Sequence, residues 1–350
     1  MRNLYGETIE NLKQQLIDAG FKAYHARQIF EWLYKHQVQN IEQMANIGKT
    51  LRQYLKTHYT MTALPVFTRQ CGQDGTCKYL FKLHDEHLIE TVLMRHDYGK
   101  SLCITTQVGC NIGCAFCASG LQKRIRNLTP AEMVLQVMGV IAHEAVTLTH
   151  IVIMGTGEPF DNFDNVMDFI DIVNAPYGLE IGARHITVST SGIVPKILAF
   201  AERPKQVNLA ISLHAPNNTI RSRLMKINDV WPIETLLDSV KTYIEKTGRR
   251  VTFEYILMRG VNDSLQHADA LSDLLRGMNA YVNLIRYNAI DEFSFKSTPH
   301  DRAKAFHDRL LKRGIQATLR REMGADIDAA CGQLRAKTDP NVKDRPSRKD

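Results

Sequence analysis

No apolar run in this chain approaches the roughly 18 residues a bilayer-spanning helix needs, so a membrane role is not expected. The opening MRNLYGETIENLKQQL lacks the apolar core of a secretory signal, which points to a cytoplasmic protein. An acidic excess is missing too. Lys and Arg number 44 against 37 Asp and Glu, a net charge of +7 that suits an anionic partner. RNA is the common one in that compartment, although many soluble proteins are mildly basic. Cysteine is scarce at seven residues, yet four of them, Cys103, Cys110, Cys114 and Cys117, fall inside CITTQVGCNIGCAFCASG. In a reducing compartment such clusters serve as metal ligands or catalytic thiols more often than as disulfides.

The remaining sequence is patterned. Residues 7–58 carry helical periodicity, with Leu12, Leu16, Ile29, Trp32 and Leu33 on apolar faces and Gly20 suited to end the first helix. Strand-like alternation is absent before about Met61, so 1–60 reads as a small helical N-terminal domain. Residues 61–100 hold short β-rich runs, KYLFKL and HLIETVLMR, after the turn-like CGQDGT, and read as a β-rich connector. From Ser101 a strand–loop–helix pattern repeats, with strands near 102–106, 149–154, 185–189, 207–212, 251–257 and 281–286. Six such units predict an α/β fold, a partial (β/α)6 barrel over 101–335. The polar, basic end, 336–350, reads as a flexible tail. Chemistry in such folds gathers on loops at the carboxyl ends of the strands. The cysteine cluster, GTGEP (Gly155–Pro159), STSG (Ser189–Gly192), SLHAPN (Ser212–Asn217) and Asn288 all fall on such loops.

What the cysteine cluster lacks is a fourth ligand. A structural zinc site wants four closed ligands, and Cys71 and Cys77 have no knuckle spacing to complete one. Three thiolates instead suit an iron–sulfur cluster whose fourth iron stays open. Cys110, Cys114 and Cys117, spaced C-x3-C-x2-C with Phe116 before the last, form the radical S-adenosylmethionine signature. GTGEP fits beside it: its glycines permit close backbone approach, and Glu158 offers a carboxylate to a methionine ammonium. A tight βα loop is the plain alternative for that motif alone. A zinc-stabilised RNA-binding protein is the alternative for the whole cluster.

Together SLCITTQVGCNIGCAFCASG, MGTGEPFDN, ARHITVSTSGIVPKI, ISLHAPNNTIRSRLMKIN and DIDAACGQLRAK resemble the RlmN/Cfr family of radical S-adenosylmethionine RNA methyltransferases. The resemblance runs from the N-terminal helices to about Lys337. It implies a radical S-adenosylmethionine barrel, a [4Fe-4S] cluster on Cys110, Cys114 and Cys117, and two S-adenosylmethionine molecules per turnover. It implies cofactor contacts at Gly157, Glu158, Ser189, Ser212, Leu213, His214 and Asn288. By the same resemblance Cys331 is methylated, its methyl carbon is activated and joined to adenine C2, and Glu90 accepts the ring proton. Cys103 then attacks the Cys331 sulfur, leaving a disulfide. The implied partners are 23S ribosomal RNA and transfer RNA, with an electron donor such as flavodoxin or ferredoxin, and the enzyme is expected as a monomer with an RNA-binding N-terminal domain.

The GEP form of the second-strand motif resembles the RlmN branch, whereas LIRYN (Leu284–Asn288) is closer to the Cfr branch, which methylates C8. On the residues alone, Glu90 also reads as an exposed strand carboxylate, His214 as a packing histidine, and Ser189 and Ser212 as loop hydroxyls. Cys71 and Cys77 could meet across a turn but receive no function. KRIRN (Lys123–Asn127), the N-terminal helices and the tail are candidates for phosphate contacts, against a plain solvated-surface alternative.

Overall fold

The computed structural model describes residues 1–290, 292–321, 323–324, 326–328 and 332–338. The N-terminal region is helical because apolar residues recur at helical spacing behind a good cap. Thr8 Oγ1 accepts the Asn11 N–H, opening α1 (Ile9–Asp18), whose Leu12 and Leu16 are buried. Gly20, at φ +83°, follows its end as expected. Then come α2 (Tyr24–Phe30) and α3 (Lys49–His58). Two short strands close this unit, β1 (Arg2–Asn3) pairing in parallel with β2 (Tyr59–Thr60). They correct the expectation of no strand before Met61; two residues are too few to show an alternation. The unit sits on the barrel, where a Cβ on Gly6 would meet Ala131 at 2.9 Å.

The core of the molecule is one ten-stranded sheet, in the order β14-β13-β12-β11-β10-β9-β6-β5-β4-β3. Its antiparallel strands are β3 (Val66–Cys71), β4 (Cys77–Lys82) and β5 (Leu88–His96), joined to β6 (Gly99–Cys103). The connector strands therefore hydrogen-bond straight into the barrel sheet. A small ribbon, β7 (Gln107–Val108) with β8 (Arg126–Asn127), follows. β6 then begins the parallel part with β9 (His150–Ile153), β10 (Ile186–Thr190), β11 (Asn208–Ser212), β12 (Val251–Leu257), β13 (Ala280–Arg286) and β14 (Ala317–Leu319). The six expected strands are there, and β14 adds a seventh, three residues long.

The intervening helices are α4 (Pro130–Glu144), α5 (Phe163–Asn174), α6 (Val194–Ala201), α7 (Asn218–Leu224), α8 (Ile233–Thr247), α9 (Leu265–Leu275) and α10 (His300–Lys312). α4 begins where its sequence dictates: Thr129 and Glu132 form a reciprocal capping box around Pro130. α11 (Gln333–Thr338) takes in residues 336–338, which the sequence had assigned to the tail; 339–350 lie outside the described residues. Among the described residues no helix is long and apolar enough to cross a membrane.

Cys71 and Cys77 face each other across the β3–β4 hairpin and are disulfide-bonded. This agrees with the expectation that the two could meet across a turn, and adds a covalent bond between them. The hairpin turn places the two in register, and proximity decides.

Candidate active site

The carboxyl ends of the parallel strands surround a cleft of about 360 Å³. Cys110, Cys114 and Cys117 line it, on the loop after β6. Local geometry holds that loop. Gly109, at φ +81°, passes so close to Lys123 that a Cβ would fall 2.3 Å from its carbonyl oxygen. Cys110 N–H donates to the Gln122 carbonyl (2.9 Å) and Ala115 N–H to that of Leu224 (2.9 Å), tying the loop to α7.

The three thiols are free. Burial pushes the Cys110 thiol up to about 12 and raises that of Cys114 well above its ordinary value, with the neighbouring thiols adding to both. Such sulfurs ionise when a metal replaces the proton. Three thiols, with no fourth thiol or histidine on their loop, fit a cluster with an open iron better than a closed four-ligand zinc site.

The loop after β9 crosses the cleft beside them. Gly157 has φ +111°, and a Cβ there would meet the Gln107 side chain at 2.7 Å. Glu158 donates its N–H to Gln107 Oε1 (2.8 Å), while its carboxylate accepts the N–H groups of Phe160 (2.9 Å) and Ser191 (2.7 Å). Burial pushes its carboxyl up, and those two amides pull it partly back. Glu158 therefore braces the β9 and β10 loops while lining the cleft.

Ser189, Ser212 and exposed Asn288 also line the cleft. Leu213 differs from expectation: its side chain is fully buried in the hydrophobic core and does not line the cleft, because the strand's alternation turns it inward. Its backbone N–H donates to the Glu254 carbonyl. His214 lines the cleft at φ +56°. Its Nδ1 accepts the Ile256 N–H (3.1 Å), and its ring meets Phe116 edge-on at 5.1 Å. Burial, with Arg221 nearby, lowers its pKa to about 3, so the imidazole is neutral.

Cys103 ends β6 and lines the cleft. Glu90 does not line it. It is buried on β5, 3.0 Å from Lys78 Nζ, and its carboxylate accepts the N–H groups of Gly332 (2.6 Å) and Arg335 (2.7 Å). The reading of Glu90 as an exposed carboxylate is thus corrected. Cys331 lies outside the described residues, next in sequence to Gly332.

Three residues passed over in the sequence belong to this region. Glu254 lines the cleft from β12, with Asn283 Nδ2 donating to it at 2.8 Å, and was detectable as the one charge inside VTFEYIL. Arg221, buried on α7, donates to the carbonyls of Ser191 (2.6 Å) and Ser212 (3.3 Å). Lys78 had no local signal. Of KRIRN, Arg126 is committed to Asp85 and Glu132, and Arg124 to Asp161, which leaves less of that segment for phosphates.

Residues 104–271 match the model of the radical SAM superfamily, and residues 2–61 match the ribosomal RNA large subunit methyltransferase N-terminal domain. A probable dual-specificity RNA methyltransferase RlmN from Bacillus subtilis (strain 168) is 53% identical over 338 residues, 96% of this chain and 93% of its own. Another of that name from Spiroplasma citri is 53% identical over 346 residues, covering 98% and 100%. This chain belongs to the RlmN family. The crystal structure of a radical SAM methyltransferase from Sphaerobacter thermophilus superposes with a TM-score of 0.90 at 45% identity, covering 95% of this chain and 99% of that one. The protein is accordingly a radical S-adenosylmethionine RNA methyltransferase on the expected barrel fold. Membership in the RlmN family brings a [4Fe-4S] cluster and S-adenosylmethionine as cofactors, and the three cleft thiols fit the cluster.

Proposed function

We propose that this enzyme methylates C2 of an adenosine in 23S ribosomal RNA and in transfer RNA, by way of an S-methylated Cys331 and a Cys103–Cys331 disulfide. The observation that carries the reading is the pairing of β5 with β6. Val92 lies opposite Cys103, and Glu90, two residues earlier on the same strand, shares the face of Val92. Glu90 in turn accepts the N–H of Gly332, the neighbour of Cys331. The residue read as proton acceptor and the residue read as resolving thiol thus share one face of β5 and β6, with the chain beside Cys331 held on it, and Cys103 carries that face to the cleft lined by the cluster thiols.

Adenine C2 is electron-poor and has no lone pair, so it cannot attack a methyl donor directly. A thiolate can, and Cys331 is the nucleophile assigned that step. The bound cluster and S-adenosylmethionine supply the methyl group, the electron and the hydrogen-atom abstraction. Gly157, Glu158, Ser189, Ser212, His214 and Asn288 line the cofactor's place; Leu213 contributes there through its backbone alone. The activated methyl carbon of Cys331 bonds to C2, and the adduct gives up one electron along with the ring proton, which Glu90 takes. The Cys103 thiolate then attacks the Cys331 sulfur, and the S–C pair goes to carbon, which takes up a proton to complete the methyl group. The methylated base leaves a disulfide that a thiol reductant reopens. The target base has to leave its stack to reach the cleft. We take residues 2–61 as an accessory RNA-binding domain, flavodoxin or ferredoxin as the electron donor, and the monomer as the working form.

The test is anaerobic reconstitution, then turnover on unmodified 23S fragment and on transfer RNA, with the digested nucleosides identified by mass spectrometry. 2-Methyladenosine from both RNAs is the expected result. 8-Methyladenosine would move the enzyme to the Cfr-type reaction, and product from one RNA alone would end the dual assignment.

A further inference from the structure

We propose that Lys78 is a positioning residue: with Glu90 it forms a latch that seats the chain on both sides of Cys331 against the β4–β5 face. The inference deepens the proposed function, since it rests on Cys331 being the methylated cysteine.

Strand alternation sets the latch. Lys78 and Leu80 share one face of β4; Cys77, Tyr79 and Phe81 share the other, where Phe81 meets Gly139 of α4 and Tyr79 meets Glu144. Across the ladder Lys78 pairs with Val92 and Leu80 with Glu90, while Val92 pairs with Cys103. The face bearing Lys78 is therefore the face bearing Glu90 and Cys103.

The C-terminal chain lies on that face and is held at two places. Upstream of Cys331, Lys78 Nζ donates to the Asp328 carbonyl (2.6 Å), Gln70 Oε1 accepts the Asp328 N–H (3.3 Å), and the β3–β4 turn receives Asp326 on the Gln73 N–H (2.9 Å). Downstream, Glu90 accepts the N–H groups of Gly332 and Arg335, two of the donors that the first turn of α11 leaves without helical partners. Leu334 clusters with Leu80 and Leu88 beside them. Lys78 links the two places, because the ammonium on the Asp328 carbonyl is also 3.0 Å from Glu90 Oε2.

The chemistry of the side chains explains why a buried charge is kept. The Lys78 side chain is fully buried and that of Glu90 is 5% exposed, so each needs the other for its charge to be tolerated. An apolar residue at 78 would leave the Glu90 carboxylate to two amides and the Asp328 carbonyl without this donor. In this arrangement Glu90 already accepts from three donors. It becomes available to a ring proton only as the chain beside Cys331 shifts, so one carboxylate serves both to seat the methylated cysteine and to take the proton.

The first readout needs no cofactor. Amide hydrogen exchange of the peptide spanning 332–337 is measured in the cofactor-free full chain for wild type, Lys78→Met and Lys78→Arg. Lys78→Met is expected to speed exchange there at least tenfold while leaving α8 and β12 unchanged; Lys78→Arg is expected to restore most of the protection. Wild-type exchange in Lys78→Met would overturn the latch. Should Lys78→Met not fold, Glu90→Gln removes the carboxylate from the other side and must speed the same amides, or the latch is overturned. The second readout is S-methylation of Cys331 in reconstituted enzyme given S-adenosylmethionine without RNA. A positioning role lowers the methylation rate about tenfold at saturating S-adenosylmethionine, with KM and iron content unchanged and with rescue by Lys78→Arg. A raised KM with an unchanged maximal rate would overturn positioning. Failure of wild type itself to methylate Cys331 would overturn the proposed function, while the exchange result would stand by itself.

Discussion

Between β6 and β14 the strands run parallel, and their carboxyl ends turn loop after loop into one cleft; between β3 and β5 they run antiparallel and offer a flat face instead. The two parts of one sheet hold different things. Parallel strands put all their carboxyl ends on one rim, which suits a compact group gripped from several sides, here by the cysteine, Glu158 and Ser212 loops. Antiparallel strands put every second residue on one face, which suits backbone laid across it, here Asp328, Gly332, Leu334 and Arg335 over Lys78, Leu80 and Glu90. The cysteines follow the same division. Cys110, Cys114 and Cys117 of the cleft are free thiols on a loop; those of the hairpin are locked to each other at a strand end.

The largest effect that would sharpen the comparison comes from exchanging its cysteines. Cys114→Ser is expected to leave reconstituted protein with iron near background and no detectable methylated RNA, because two thiolates do not hold the cluster. Cys71→Ser is expected to keep wild-type iron and visible absorbance. Iron retained by Cys114→Ser, or lost by Cys71→Ser, would break the division.

How much of this was legible in the sequence also divides along the sheet. The parallel strands announce themselves by apolar runs between amphipathic helices; five of the six were placed nearly to their ends, and the first was expected three residues late. The cluster ligands were legible because their spacing is local. Lys78 was not, and Glu90 was singled out by resemblance alone, because their partners Asp328, Gly332 and Arg335 lie some 240 to 250 positions away and no local pattern records them. Glu90 looked exposed for the same reason: its strand alternates, but the chain that covers its outer side comes from the far C-terminus. Leu213 was expected at the cofactor by resemblance of a tripeptide, whereas alternation sends its side chain to the core. β14 escaped because three residues carry too little pattern to read.

The second effect belongs to the parallel half. Glu254 is 6% exposed in the cleft wall; burial pushes its carboxyl up to about 7, against the pull of Asn283 and Arg320. Its folded pKa thus lies above its unfolded one. The folded chain binds this proton more firmly, so the contribution is fullest below about pH 4.5 and is lost as pH rises toward 7. By linkage the loss is on the order of 3 kcal/mol. Glu254→Gln, neutral throughout and still able to accept from Asn283, is expected to remove that decline. The check is the urea midpoint of the cofactor-free chain between pH 4.5 and 7.5 for both proteins; parallel curves would refute the assignment.

The smallest effect concerns the hairpin. Cys71 and Cys77 are six positions apart, so their bond closes a short loop and, by chain entropy, contributes roughly 2 kcal/mol through the unfolded state. The double change Cys71→Ser, Cys77→Ser is expected to lower the unfolding free energy measured by urea titration by that amount and to leave Cys331 methylation at the wild-type rate. The reason is that the turn grips the C-terminal chain through groups other than sulfur: the Gln73 N–H on Asp326, and Asp74 Oδ2 on the Gly324 N–H (2.7 Å). The β3–β4 ladder keeps those groups in place with or without the bond. Methylation that fell along with the disulfide would mean that the covalent bond, rather than the register of the strands, sets the position of the cysteine-bearing chain.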